Sequence, residues 1–103
     1  MSQKRSVLLV DDSKFARMLV KAFITSSFAD WQIDEAEEAE TAQVMAKAHP
    51  YDYLLVDFNM PGMNGLELGA ILRASYPDAT IALLTANIQQ EIQNKAAKAG
   101  MDF

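Results

Sequence analysis

Val7-Leu8-Leu9-Val10-Asp11-Asp12 and Tyr53-Leu54-Leu55-Val56-Asp57 are built alike: an unbroken apolar run that ends directly in carboxylates. Apolar residues on successive positions, bounded by polar groups, describe strands buried on both faces, the pattern of a parallel sheet wrapped by helices. Parallel strands of one sheet finish at the same edge, so Asp11, Asp12 and Asp57 are expected to meet at one rim. Open α/β sheets bind ligands at that rim, and three carboxylates gathered there repel one another unless a cation lies among them. With hard oxygen ligands, no cysteine and a single histidine, the expected ion is Mg²⁺.

Outward from these strands the apolar period switches between strand-like and helix-like. Phe15, Met18, Leu19, Ala22 and Phe23 recur at i, i+3, i+4, i+7 and i+8 and predict one apolar face of a helix running to about Ser27. Gln32 to Ala36, with Ile33 its only strong apolar residue, predicts an edge strand. Ala39 to Ala48 predicts a helix that His49-Pro50 closes, because the residue before proline is pushed out of the helical region. The strand Tyr53 to Val56 follows. Asn64 and Glu67 have capping-box spacing and open a helix through Leu66, Leu68 and Leu72 that Pro77 ends. Thr80 to Leu84 is a fourth strand. Asn87 and Gln90 repeat the cap spacing, and a helix through Ile88, Ile92, Ala96 and Ala99 stops at Gly100. The order β-α-β-α-β-α-β-α, with right-handed crossovers, gives a three-layer α/β sandwich, one domain over residues 1–103 without linker or repeat.

Bulk composition bounds the function. At 103 residues, half of them hydrophobic, the chain supports one core. Fourteen acidic against nine basic residues, net −5, argue against nucleic acid as a direct ligand, which clustered Lys and Arg would recognise. The apolar stretch near the start is too short for a signal peptide or a membrane span, so no membrane partner and a cytoplasmic address are expected.

On this scaffold Asp57, alone at the end of a central strand, is the candidate nucleophile toward phosphorus. Phe58-Asn59-Met60-Pro61-Gly62 follows it, a loop whose proline and glycine restrict the backbone and whose carbonyls offer a further metal oxygen. Asp11 and Asp12 would hold the cation from the neighbouring strand, and the Thr85 hydroxyl would donate to a phosphoryl oxygen. Such groups suit phosphoryl transfer, in which positioning and charge compensation do most of the work.

Through Leu8-Leu9-Val10-Asp11-Asp12-Ser13, Leu54-Leu55-Val56-Asp57-Phe58-Asn59-Met60-Pro61-Gly62-Met63-Asn64-Gly65 and Leu84-Thr85-Ala86, the chain resembles the receiver domain of two-component response regulators, close to the stand-alone chemotaxis type. The resemblance implies a flavodoxin-like sheet, ordered 2-1-3-4 over the strands present here. It implies that Asp57 accepts a phosphoryl group from a phosphohistidine of a sensor histidine kinase. It places Mg²⁺ on Asp12, Asp57 and the backbone carbonyl of Asn59, with Asp11 acting through water. Thr85 becomes the switch, while Asn59 and Asn87 occupy positions that tune acyl-phosphate hydrolysis. The output is contact with a downstream protein target, and the chain is not a turnover enzyme. A receiver continues into a fifth strand with a switch aromatic, a Lys-Pro pair and a fifth helix. Phe103 stands in or just before the aromatic slot, and neither Lys95 nor Lys98, on the predicted fourth helix, matches the lysine. Without a fifth strand, Ile81 to Leu84 is expected to be a bare apolar edge that invites homo-oligomerisation or segment exchange.

Blander readings stand beside these. Asp11-Asp12 can serve as a helix cap, Thr85 can merely end a strand and Asn87 can merely cap. His49 reads as a helix-end residue, since no cysteine or second histidine supports zinc. Trp31 reads as packing where the first helix meets the second strand, the methionines as filler, and Asp34 to Glu38 as a solvated loop and first helical turn. The rival function is a non-switching interaction or assembly module that associates through the fourth strand. An Asp-nucleophile phosphohydrolase is more distant, since Asp57-Phe58-Asn59 lacks the second acid of the Asp-x-Asp signature.

Overall fold

The computed structural model describes residues 5–58, 63–84 and 90–102, with the backbone alone at 90–93. The elements are β1 (Ser6–Val10), α1 (Lys14–Ser27), β2 (Gln32–Ala36), α2 (Ala39–Ala48), β3 (Tyr53–Asp57), α3 (Gly65–Ser75), β4 (Thr80–Leu84) and α4 (Gln90–Lys98). All strand pairs are parallel and the order is β2-β1-β3-β4, as the expected architecture requires. The half-exposed Gln32–Ala36 strand is at the edge, and β1, every residue of it buried, is inside.

Alternation sorts each strand between two faces. Leu8, Val10, Leu54, Val56 and Ile81 join Leu68 and Leu72 of α3 and Ala42 and Ala46 of α2 in the main core. The alanines of α2 let its backbone lie close on β1 and β2, while α3 spans β3 and β4. Val7 and Leu9 alternate with these onto the opposite face and are buried there too.

The helix ends follow the expected chemistry. Asn64 and Glu67 form a reciprocal capping box, the Glu67 amide donating to Asn64 Oδ1 at 3.0 Å. His49 ends α2 in extended conformation, its ring 4.7 Å from that of Tyr51. Gly100 takes φ +88°, a left-handed conformation that L side chains rarely adopt, and the Met101 amide reaches back to Ala96 O at 3.0 Å. The Asn87 cap and Ile88 lie outside the described residues.

Three expectations are corrected. First, the stripe Phe15, Met18, Leu19, Ala22 and Phe23 does not face the sheet. Phe15 and Phe23 are 68% and 72% exposed, and α1 instead turns Ala16, Arg17, Val20 and Ile24 inward. Its phase is set by hydrogen bonds. Arg17 must point in to meet the Asp11 carbonyl at 2.6 Å and Glu35 at 3.0 Å, which rotates the stronger apolar stripe outward.

Second, the β4 edge is not bare along its length. The Asp102 amide donates to Ile81 O at 2.8 Å, and Asp102 Oδ2 accepts the Ile81 amide at 2.9 Å. Arg73 locks this clasp, with Nη2 2.5 Å from the same carboxylate and further bonds to the carbonyls of Gly100, Pro77 and Ala79. The Ile81 amide first, and Arg73 after it, hold the Asp102 carboxyl below the usual carboxylate range. Phe103 lies outside the described residues.

Third, Asp34 to Glu38 is not simply solvated. Asp34 and Glu35 belong to β2. Asp34 accepts the Tyr51 hydroxyl at 2.6 Å, and Glu35 and Glu37 meet Arg17. Burial, and then Asp34, push the Tyr51 pKa up. Trp31 stacks between Phe28, the residue that caps α1, at 4.2 Å and Tyr53 of β3 at 5.0 Å. It therefore bridges to the third strand, not only to the second.

Candidate functional site

Val10 and Val56 are register partners, both fully buried, so the next residue of each strand emerges at the same rim. These residues are Asp11 and Asp57. The parallel ladder carries on one residue past β1, with the Asp11 amide 3.1 Å from Ala36 O, and this fixes the backbone of the first acid. Its carboxylate is aimed by a local turn in which the Ser13 amide donates to Asp11 Oδ1 at 2.9 Å.

Ser13, not Asp11 or Asp12, caps α1, its Oγ accepting the Ala16 amide at 3.2 Å. The capping task is already filled, and Asp12 is left exposed at the rim. Asp57 is half-buried. One carboxylate oxygen from each of Asp11, Asp12 and Asp57 lies within 4.8 Å of the others. Like charges this close destabilise one another, and an all-oxygen donor set suits a hard divalent ion such as Mg²⁺. The sequence-predicted trio is thus brought together. Asn59, Thr85 and Asn87 lie outside the described residues.

Two supporting residues escape a reading of the sequence. Arg17 is buried beneath the site and joins Asp11 O to Glu35 and Glu37, tying the first acid to β2. Its only signal is a cation amid the apolar residues of the helix, remote in sequence from the glutamates that neutralise it. Gly65 opens α3 directly beneath Asp57. A Cβ there would come within 2.9 Å of Asp57 C and Phe58 Cα, and would overlap the Asp57 carbonyl oxygen. The Gly65 amide donates to Phe58 O at 3.1 Å, and the Phe58 amide to Leu84 O at 2.9 Å. Asp57 therefore emerges from backbone held on both sides.

Residues 7–103 match the family model described as the response regulator receiver domain. The chemotaxis protein CheY of Halobacterium salinarum is 36% identical over 98 residues, 95% of this chain and 80% of that protein. Sensor protein EvgS of Escherichia coli (strain K12) is 34% identical over 101 residues, which are 98% of this chain but 8% of EvgS. Among solved structures, the chemotaxis protein CheY4 of Vibrio cholerae has a TM-score of 0.88 at 27% identity, over 96% of this chain and 82% of that one. The CheX-CheY-BeF3-Mg+2 complex from Borrelia burgdorferi gives 0.87 at 25% identity, over 95% of this chain and 74% of that one. Among the described residues, no helix is long and apolar enough to cross a membrane.

Proposed function

The chain belongs to the response regulator receiver domain family, and from that membership we propose that Asp57 accepts a phosphoryl group from a phosphohistidine of a sensor histidine kinase. A carboxylate oxygen of Asp57 attacks phosphorus as the bond from phosphorus to the imidazole nitrogen breaks. That nitrogen keeps the electron pair and takes up a proton. Asp11, Asp12 and Asp57 would hold Mg²⁺, with the Asn59 carbonyl as a further oxygen. A bound Mg²⁺ supplies positive charge that offsets the attacking carboxylate and the incoming phosphoryl oxygens.

The chain's own contribution is placement. Arg17 and the Ser13 amide hold Asp11, while the Phe58 and Gly65 amides hold the backbone that follows Asp57. The Thr85 hydroxyl would donate to a phosphoryl oxygen and shift on modification, and Asn59 and Asn87 would tune hydrolysis of the acyl phosphate. The domain then signals through contact with a downstream protein in the cytoplasm and turns over no external substrate.

The observation that carries this reading is the convergence of three carboxylates within 4.8 Å at the end of β3. The Borrelia burgdorferi complex, in which a CheY is found with CheX, BeF3 and Mg+2, supports the same chemistry. Incubation with acetyl phosphate and Mg²⁺, followed by intact-mass analysis, is expected to add one phosphoryl group to the parent and none to Asp57→Asn. Equal masses for the two proteins, with or without Mg²⁺, would overturn it.

A further inference from the structure

Three carboxylates within 4.8 Å of one another strongly attract any guanidinium near them, and Arg17 stands 2.6 Å from the main chain of one of the three acids. Among the described residues its partners are nevertheless the Asp11 carbonyl oxygen, Glu35 and Glu37, and none is a carboxylate of the trio. The ion pairs show what turns it away. Glu35 Oε1 meets Nε at 3.0 Å from a side chain 34% exposed, whereas Glu37 meets Nη2 at 3.5 Å from a side chain 71% exposed. A long contact to an exposed carboxylate restrains little, so the buried guanidinium is aimed by Glu35. Lys21 Nζ, at 3.5 Å, holds the second oxygen of the same carboxylate, Glu35 Oε2.

We propose that Glu35 is a positioning residue of the cation site: by clamping Nε it withholds Arg17 from the three carboxylates and keeps Nη1 on the Asp11 carbonyl. The inference rests on the reading of the trio as a Mg²⁺ site. A guanidinium is a rigid planar fork, so fixing Nε decides where its other donors point. With the clamp in place the charge of Arg17 is compensated on the side of β2, and the trio keeps the negative charge that a divalent ion needs. Without the clamp the guanidinium has two courses. It turns toward Asp11, Asp12 and Asp57, where it neutralises the site and competes with the ion, or it withdraws toward Glu37 and water, and the Asp11 carbonyl loses its donor. Both courses lower the affinity for Mg²⁺, although Glu35 itself touches none of the three acids through any bond among the described residues.

The backbone supports the same link. Glu35 lies in β2, Arg17 on α1 and Asp11 just past β1, and the Asp11 amide bonds the carbonyl oxygen of Ala36, the residue after Glu35. Main chain and side chain therefore tie the first acid to one stretch of the edge strand.

The test titrates the 103-residue chain with Mg²⁺ by calorimetry, after circular dichroism has shown each variant folded. Glu35→Ala is expected to bind the ion about 10-fold more weakly than the parent, the lower end of the effect of losing an outer-shell partner of a metal site. Glu35→Gln keeps an acceptor in the same place, so it should fold where alanine does not and recover most of the affinity. In an Arg17→Met background the further change Glu35→Ala should cost no affinity, because no guanidinium is left to aim. Equal affinities for the parent and Glu35→Ala overturn the proposal. So does a loss of the same size in Glu35→Ala and Glu35→Gln that persists when Arg17 is replaced, since that loss is the field of the carboxylate acting directly on the ion. A parent that binds no Mg²⁺ removes the reading of the trio and the inference with it, whereas a parent that binds, with Glu35→Ala unaffected, removes the inference alone.

Discussion

Replacing Gly65 with alanine tests whether the placement of Asp57 rests on the close approach of α3. Gly65 needs no left-handed backbone, since the only positive φ among the described residues is at Gly100, so the whole demand is for space. The atoms nearest a Cβ at this position are all main chain: Asp57 C and Phe58 Cα at 2.9 Å, with the Asp57 carbonyl oxygen nearer still. Backbone cannot rotate away as a side chain can, so α3 and the 57–58 segment must separate. Overpacking of this kind costs about 1–3 kcal/mol. Better helix propensity returns less than about 1 kcal/mol at a first-turn position. A domain of this size loses about 4–8 °C of melting temperature per kcal/mol, so Gly65→Ala should melt roughly 5–15 °C below the parent. A displacement of 1 Å at a reacting group costs up to about 100-fold in rate, and phosphorylation by acetyl phosphate should fall between about 10- and 100-fold. Gly69→Ala, one turn further along α3, is the control. The atoms nearest its Cβ all belong to the Met101 side chain, with Sδ at 2.8 Å, and a thioether can swing aside. That variant should lose some stability and keep the parent's phosphorylation rate. If Gly65→Ala phosphorylates at the parent's rate, or Gly69→Ala is the slower of the two, the close approach does not position Asp57.

Arg17→Met keeps most of the buried volume but removes the donor to the Asp11 carbonyl, and it should cost about 1.5–3 kcal/mol in denaturant unfolding and weaken Mg²⁺ binding by calorimetry. An Mg²⁺ affinity equal to the parent's would show that Arg17 serves the fold alone. The Asp102 clasp carries a sign that acid titration can read. Its carboxyl pKa is lowered on folding, so its stabilisation is complete above the unfolded value of about 3.9 and is lost as pH falls through the folded value. The melting-temperature gap between the parent and Asp102→Asn should therefore be constant near neutrality and close below about pH 4. A gap that widens on acidification would contradict the assignment.

The strands and the acidic trio were legible because each rests on a local pattern that the fold could use in one way, whereas the sheet order came with the family resemblance. An apolar run such as Val7 to Val10 has a single place in a sheet covered on both sides, and parallel strands leave no choice about which edge their ends share. The capping box at Asn64 and the stop at Gly100 are likewise short-range devices, complete within a turn of helix.

What the sequence did not disclose is of another kind: contacts in which one partner is remote and the other is backbone. Nothing beside Arg17 in the chain announces that Glu35, Glu37 and the Asp11 carbonyl converge on it, and nothing near Gly65 announces the main chain of Asp57. Arg73 and Asp102 are twenty-nine residues apart, yet together they occupy the Ile81 end of an edge expected to be open. The same limit explains α1. Periodicity identifies which residues share a face, but on a helix apolar over more than half its circumference it does not say which face meets the sheet. The choice is made by the buried guanidinium, whose unmet hydrogen bonds would cost about 1–3 kcal/mol each, comparable with burying one Phe or Leu. Because Arg17 has three partners to satisfy, polar demand sets the rotation, and Phe15, Met18, Leu19 and Phe23 are left facing outward.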